Sequence, residues 1–142
     1  MKAKHKVLVL CTGNSCRSII AEALINHLKG DTWQAWSAGV SPSRVHPRSI
    51  KALRELGIDP SSLRSKSVEE FLDRDDLDLV ITVCDHAREV CPVFLRPVKQ
   101  IHIGIADPTA QVWLSEEGSD EAFRKCRETI KRKIVDQLDS LI

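Results

Sequence analysis

Two short runs, Val7-Leu-Val-Leu10 and Leu79-Val-Ile-Thr-Val83, are apolar at almost every position. A strand with one wet face alternates apolar and polar side chains, so unbroken runs of this kind must be covered on both faces. Between them the chain changes period. From Ile19 to Leu28 the apolar residues Ile20, Ala21, Leu24 and Leu28 have helical spacing, closed by Gly30. Trp33 to Ser37 alternates as a second strand that ends at Gly39. Pro47 stands at a first helical position, Ile50, Leu53 and Leu56 follow, and Gly57 stops that helix. Ser67-Val-Glu-Glu70 has the form of a capping box opening a short helix through Phe71 and Leu72. Val98 to Ile103 makes a fourth strand. A last helix from about Asp120 buries Phe123, Cys126, Ile130, Ile134, Leu138 and Leu141. Strands alternating with helices predict an α/β fold: right-handed crossovers and a parallel sheet with helices on both faces, in three layers.

The 142 residues suffice for one domain, expected over 1–142, and no repeat or linker divides them. With 21 basic against 20 acidic side chains the net charge is +1, which gives no reason to expect nucleic acid or an anionic membrane as partner. The start, Met1-Lys-Ala-Lys-His-Lys6, is basic, but the apolar run after it is too short for a secretory signal. Nor does any run approach the roughly 20 apolar residues of a membrane span. The expected location is the cytoplasm. There, five cysteines are not a static disulfide framework and read as packing, metal-binding or catalytic thiols.

Sheets of this kind bind ligands outside the carboxyl ends of their strands. Cys11 ends the first strand, Cys84 the third, and Asp107 follows the fourth, so all three fall on one edge. The segment Cys11, Thr12, Gly13, Asn14, Ser15, Cys16, Arg17, Ser18 joins a strand to a helix. Gly13 allows close backbone approach, and Asn14 tolerates the positive φ that a tight loop needs. The loop amides and the helix N-terminus aim donors at one spot, and Arg17 adds a planar fork for two oxygens of a tetrahedral anion. The same field favours the thiolate form of Cys11, a nucleophile. Cys16 reads as packing or loop structure.

These residues, with Ile19-Ile-Ala-Glu22 behind them, resemble the low-molecular-weight protein tyrosine phosphatase superfamily, and the resemblance runs from Val7 to the final helix. It implies strand order 2-1-3-4, a hydrogen bond from Ser18 to the nucleophilic thiolate, Asn14 holding the loop in shape, and Asp107-Pro108 as the general-acid loop. Cys84-Asp-His-Ala-Arg-Glu-Val-Cys91-Pro92 is similar to the redox segment of the thioredoxin-coupled arsenate reductases, a branch on the same fold. Seven steps along a helix span roughly 10.5 Å, whereas a disulfide needs Cα atoms within about 7 Å. A bond between Cys84 and Cys91 therefore demands that this segment bend or unwind. In order 2-1-3-4 the first and third strands are neighbours about 4.8 Å apart, which brings Cys11 and Cys84 towards bridging distance.

The resemblance implies a relay from Cys11 to Cys84 to Cys91 that reduces arsenate. Its partners would be a phosphate-shaped oxyanion and thioredoxin or another thiol carrier; no metal or organic cofactor is expected, and the protein is expected to be a monomer. Two other readings stay open: a phosphatase whose cysteine pair protects Cys11, and a non-enzymatic thiol or anion sensor. Asp107 alongside Cys11 and Arg17 argues against a sensor, which needs no acid. Thr109-Ala110 after Asp107-Pro108, in a chain without tyrosine, argues against a phosphotyrosine grip, although Trp113 is near enough in sequence to wall the site. No second closely spaced Cys/His pair completes a zinc site. Reductase-branch relatives bind potassium through positions matching Asn14, Glu22, Ser37 and an aspartate whose place Ser67 takes, so no potassium is expected. Cys126 reads as a core thiol, the bases from Arg124 to Lys133 as a solvated helical face, Trp33 and Trp36 as packing, and His86 as an exposed loop residue. His5, His46 and His102 are assigned no role.

Overall fold

The computed structural model describes residues 3–110 and 115–142. Four parallel strands, β1 (His5–Cys11), β2 (Trp33–Gly39), β3 (Leu79–Thr82) and β4 (Lys99–His102), lie in the order β2-β1-β3-β4. Cys11 pairs with Gly39 at the end of the β1–β2 ladder, and Leu10 pairs with Thr82 in β1–β3. Side chains alternate across a strand, so the unbroken apolar runs feed two cores. Val7 and Val9 pack with Ile20 and Leu24 of α1 (Arg17–Leu28), Leu53 of α2 (Pro47–Arg54) and Ile130 of α4 (Glu116–Ile130). Leu8, Leu10 and Val80 pack on the opposite face with Val68, Phe71 and Ala87, the last from α3 (Asp85–Val90). Each fully buried aliphatic contributes roughly 1.5–3 kcal/mol, which fixes the strand ends that carry the loops. The polar residues Lys99 and Gln100 are exposed on β4, one of the two edge strands, where charge discourages pairing with another sheet.

Several boundaries differ from the sequence reading, each for a local reason. Helix α4 begins at Glu116, ahead of Asp120, because the Ser115 hydroxyl accepts from the Gly118 amide and caps a first turn with no apolar stripe. Past Ile130 the helix widens into a π turn (Lys131–Val135) and then a 3-10 turn (Leu138–Leu141); Leu141 packs on the core only half-buried. Helix α2 ends at Arg54, so Leu56 lies outside it and is exposed, and the chain reverses at Gly57 with φ 75°. The segment after Ser67 is a 3-10 turn (Val68–Phe71) whose Ser67 hydroxyl accepts from the Glu69 amide. The Glu70 carboxylate of the expected capping box goes mainly to Arg64. His86 is exposed, but on α3 rather than in a loop.

Candidate active site

Residues 11–17 make a tight turn between β1 and α1 whose carbonyls are bonded from outside. The Cys11, Thr12, Gly13 and Ser15 carbonyls accept from the amides of Val40, Ser41, Ser43 and His46, at 2.9–3.1 Å. Ser65 and Ser49 hydroxyls donate to the Gly13 and Ser15 carbonyls at 2.9 and 3.0 Å. Because N–H and C=O point opposite ways across a peptide, carbonyls held outwards turn the loop amides inwards, which makes a concave donor nest suited to an anion. Asn14 takes φ 50°, the left-handed conformation that asparagine adopts more readily than most residues. The loop leans on β2 at Gly39: a Cβ there would stand 2.6 Å from the Thr12 carbonyl oxygen and 3.0 Å from the Asn14 nitrogen.

The hollow inside is about 190 Å³ and is lined by Cys11, Thr12, Gly13, Ser15, Cys16, Arg17, Asp107 and Thr109. That is small beside the roughly 300–1,000 Å³ of drug-sized ligand sites and suits a compact oxyanion. At its floor the Cys11 sulfur accepts from the Asn14 amide at 3.2 Å and lies 2.8 Å from the Ser18 hydroxyl. The Ser18 oxygen already accepts from Asn14 Nδ2 at 2.8 Å, so its own proton is left for the sulfur. Two donors thus converge on one sulfur. Arg17 Nη1 donates to the Ile105 carbonyl at 3.2 Å while Nη2 lies 4.0 Å from Asp107 Oδ2. Burial pushes the Asp107 carboxyl up, but the Thr109 amide and hydroxyl, with the charges of Arg17 and His46, outweigh it and hold the group below its ordinary value.

Cys84 follows β3 on the same edge. Its sulfur shares a 3.3 Å hydrogen bond with the Thr12 hydroxyl and accepts from the Ala87 amide at 3.4 Å, capping α3. Cys91 stands at the other end of that six-residue helix, half-buried, and burial pushes its thiol up. All five cysteines are free. Cys16 is buried beside the loop with its pKa raised, chiefly by desolvation, and Cys126 on α4 is pushed up to about 12 for the same reason. Burial disfavours the reactive thiolate at both, consistent with packing.

The residues matched to a potassium site do not fit one. The Glu22 carboxylate is taken by the Lys66 ammonium at 3.3 Å, the Asn14 carbonyl accepts from the Lys66 amide at 2.9 Å, and Ser67 is engaged as a cap. A second cation beside an ammonium would meet repulsion, and few lone pairs remain to offset it. No cluster of three or more His, Cys, Asp or Glu side chains able to hold a metal ion occurs among the described residues.

Six residues given no site role in the sequence are tied to the site. His46 caps α2, its Nδ1 accepting from the Arg48 amide at 3.1 Å, while its own amide holds the Ser15 carbonyl. His102 reaches the Thr82 hydroxyl at 2.9 Å and the Asp85 carboxylate at 3.3 Å, next to Cys84. Gly39, Ser49, Ser65 and Lys66 support the loop from outside it. His5 packs its ring at a tilt against Trp33, away from its strand's functional end. Trp33 is fully buried, and Trp36 carries the Arg74 guanidinium over its ring. On α4, Arg124 and Arg127 pair with Glu55 rather than simply facing solvent. Trp113 lies outside the described residues.

Comparison with known proteins agrees with this geometry. Residues 6–141 match the family described as low molecular weight phosphotyrosine protein phosphatase. Arsenate reductase 1 of Bacillus cereus is 40% identical over 137 residues, covering 94% of each chain. A solved structure described as an arsenate reductase in the phosphate binding state superposes with TM-score 0.73 at 31% identity, over 97% of this chain and 99% of that one. A thioredoxin-dependent arsenate reductase of Corynebacterium glutamicum superposes with TM-score 0.67 at 25% identity, over 99% of this chain and 63% of that one. No helix among the described residues is long and apolar enough to cross a membrane.

Proposed function

The chain belongs to the low molecular weight phosphotyrosine protein phosphatase family, and on that premise we propose that it reduces arsenate to arsenite through Cys11, Cys84 and Cys91, with thioredoxin or a similar dithiol carrier of the cytoplasm as electron source. The observation that carries this reading is the placement of two further thiols at the ends of α3, one of them bonded to the anion loop through Thr12. Phosphate hydrolysis itself needs Cys11, Arg17 and an acid; in a phosphatase the pair would serve only to protect Cys11.

Arsenate sits in the amide nest with two oxygens on the Arg17 fork, and the Cys11 thiolate attacks arsenic. The departing oxygen leaves as water and needs a proton. Arg17 is one of the groups that hold Asp107 ionised. When its fork turns to the oxyanion, Asp107 loses that support and gains an anionic neighbour, and both changes raise its proton affinity until it can act as the acid. Cys84 then attacks the Cys11 sulfur; the S–As bond breaks, arsenic keeps the electron pair and leaves as arsenite, and a Cys11–Cys84 disulfide forms. Cys91 attacks Cys84 and frees the Cys11 thiolate. Since α3 separates the two cysteines, this step requires the helix to unwind, which also exposes Cys91 and removes the burial that keeps its thiol protonated. Six residues form no stable helix by themselves, so the opening is inexpensive. All electrons pass through sulfur, so neither a metal nor an organic cofactor has a step to perform.

The test is to mix the reduced protein with one equivalent of arsenate and map the cysteines by mass spectrometry. The expected product is a Cys84–Cys91 disulfide with a free Cys11, and Cys91→Ser should stop at Cys11–Cys84. Thiols left untouched by arsenate, with aryl phosphate hydrolysed instead, would return the chain to the phosphatases.

A further inference from the structure

Lysine is almost never buried unless paired. The Lys66 side chain is nevertheless only 7% exposed, and its ammonium lies 3.3 Å from Glu22, itself 12% exposed. From Glu22 a continuous series of hydrogen bonds leads to the sulfur of Cys11. The carboxylate can only accept, so the Ser37 hydroxyl donates to it at 2.7 Å. Having given its proton, the Ser37 oxygen accepts from Asn14 Nδ2 at 2.9 Å, and the second proton of that nitrogen goes to Ser18 at 2.8 Å. Ser18 then donates to Cys11. The Asn14 amide is set in this sense because its carbonyl oxygen accepts from the Lys66 backbone amide at 2.9 Å. Lys66 is brought there by β2, where the Gly39 amide donates to the Lys66 carbonyl at 2.8 Å.

We infer that Lys66 is a positioning residue for the reaction: its ammonium is a built-in counter-cation for Glu22, which lets the chain Glu22–Ser37–Asn14–Ser18 stabilise the Cys11 thiolate without any added monovalent cation. The physical problem is one of charge. Glu22 anchors the donor chain, but an uncompensated carboxylate beneath the loop would oppose both a negative sulfur and a bound oxyanion, with little solvent to screen it. The ammonium cancels that charge while leaving the hydrogen bonds in place. A cation recruited from solution could do the same, but here the tether makes compensation independent of the salt composition. The inference rests on Cys11 being the nucleophile.

The experiment measures Cys11 alkylation by iodoacetamide against pH, read at the Cys11 peptide by mass spectrometry. Wild-type protein should show the same profile in potassium chloride and in tetramethylammonium chloride at equal ionic strength. Lys66→Met should shift the profile to higher pH and slow alkylation about tenfold near neutrality, as one unit of displacement requires. The double variant Lys66→Met with Glu22→Gln removes both charges and leaves the glutamine oxygen to accept from Ser37; it should return to within about twofold of wild type, since a tenfold loss there would itself correspond to a full unit. If the single variant fails to fold, the comparison of wild type in potassium and tetramethylammonium chloride still tests the inference. A wild-type profile in folded Lys66→Met, a double variant as slow as the single, or potassium-dependent alkylation of wild type would each overturn the inference. A Cys11 that is unreactive in wild type would instead overturn the assignment of the nucleophile.

Discussion

Replacing Gly39 by alanine tests how rigidly the sheet holds the anion loop. The new Cβ would stand 2.6 Å from the Thr12 carbonyl oxygen and 3.0 Å from the Asn14 nitrogen, both backbone atoms that cannot rotate away. An ordinary contact is about 3.4 Å, so the loop must retreat by roughly 0.8 Å, a misplacement of the kind that small added volumes force in tight packing. Overpacking of this sort costs about 1–3 kcal/mol. For a chain of this size that lowers the melting temperature by about 3–10 °C. The effect on chemistry should be larger than the effect on stability, because a displacement near 1 Å at a reacting group can reduce rate about 100-fold. Thermal unfolding by circular dichroism gives the first number, and single-turnover arsenite release gives the second. The expected result is a folded protein whose single-turnover arsenite release is slowed about 10–100-fold. Gly39→Ala with wild-type melting and wild-type turnover would refute the view that β2 sets the loop geometry.

Cys91→Ser should release one equivalent of arsenite at nearly the wild-type rate and then stop, because Cys11 and Cys84 suffice for one cycle; sustained turnover with thioredoxin would remove Cys91 from the relay. Glu89→Gly, on the exposed side of α3, weakens the helix by about 1 kcal/mol, so formation of the Cys84–Cys91 disulfide from the Cys11–Cys84 form should accelerate about fivefold in stopped-flow trapping; an unchanged rate would mean that unwinding is not required. Burial, and then the charges of Arg48 and Arg44, lower the pKa of His46 despite the opposing charge of Asp107. Stability from its neutral ring is therefore complete above about pH 6.5 and lost as pH falls, since the imidazolium cannot accept from the Arg48 amide. His46→Asn keeps a capping acceptor without titrating, and its melting temperature should fall less than that of wild type between about pH 7 and pH 5, by at most a few degrees for a cap worth about 1 kcal/mol; parallel falls would contradict this.

The sheet was legible because its signal is local. An apolar run such as Val7–Leu10 has only one way to hide both faces, and the helical stripes that follow each strand supply the cover. The strand-to-helix segment from Cys11 to Ser18 was legible for a related reason: its cysteine, glycine, asparagine and arginine are each needed for one geometric task within eight residues. What surrounds the loop was not legible. Ser49, Ser65 and Lys66 carry no local signal of a role, and they reach the loop because the chain just after β2 lies against it and the Gly39–Ser67 bridge folds the later segment alongside. His46 is assigned no role from the sequence because a histidine acting as a helix cap has no spacing signature. The start of α4 was misplaced because Glu116 and Glu117 form a capped polar turn with nothing apolar to announce it. For the supports of the loop the missing information was tertiary contact across tens of residues, whereas His46 and Ser115 make local caps that no apolar pattern marks.

The most direct test of the central claim is arsenate-dependent NADPH oxidation by the purified protein with thioredoxin and thioredoxin reductase. The account predicts steady oxidation that stops when either thioredoxin or arsenate is left out and that is lost in Cys11→Ser. No oxidation by a folded protein that hydrolyses aryl phosphate briskly would contradict it.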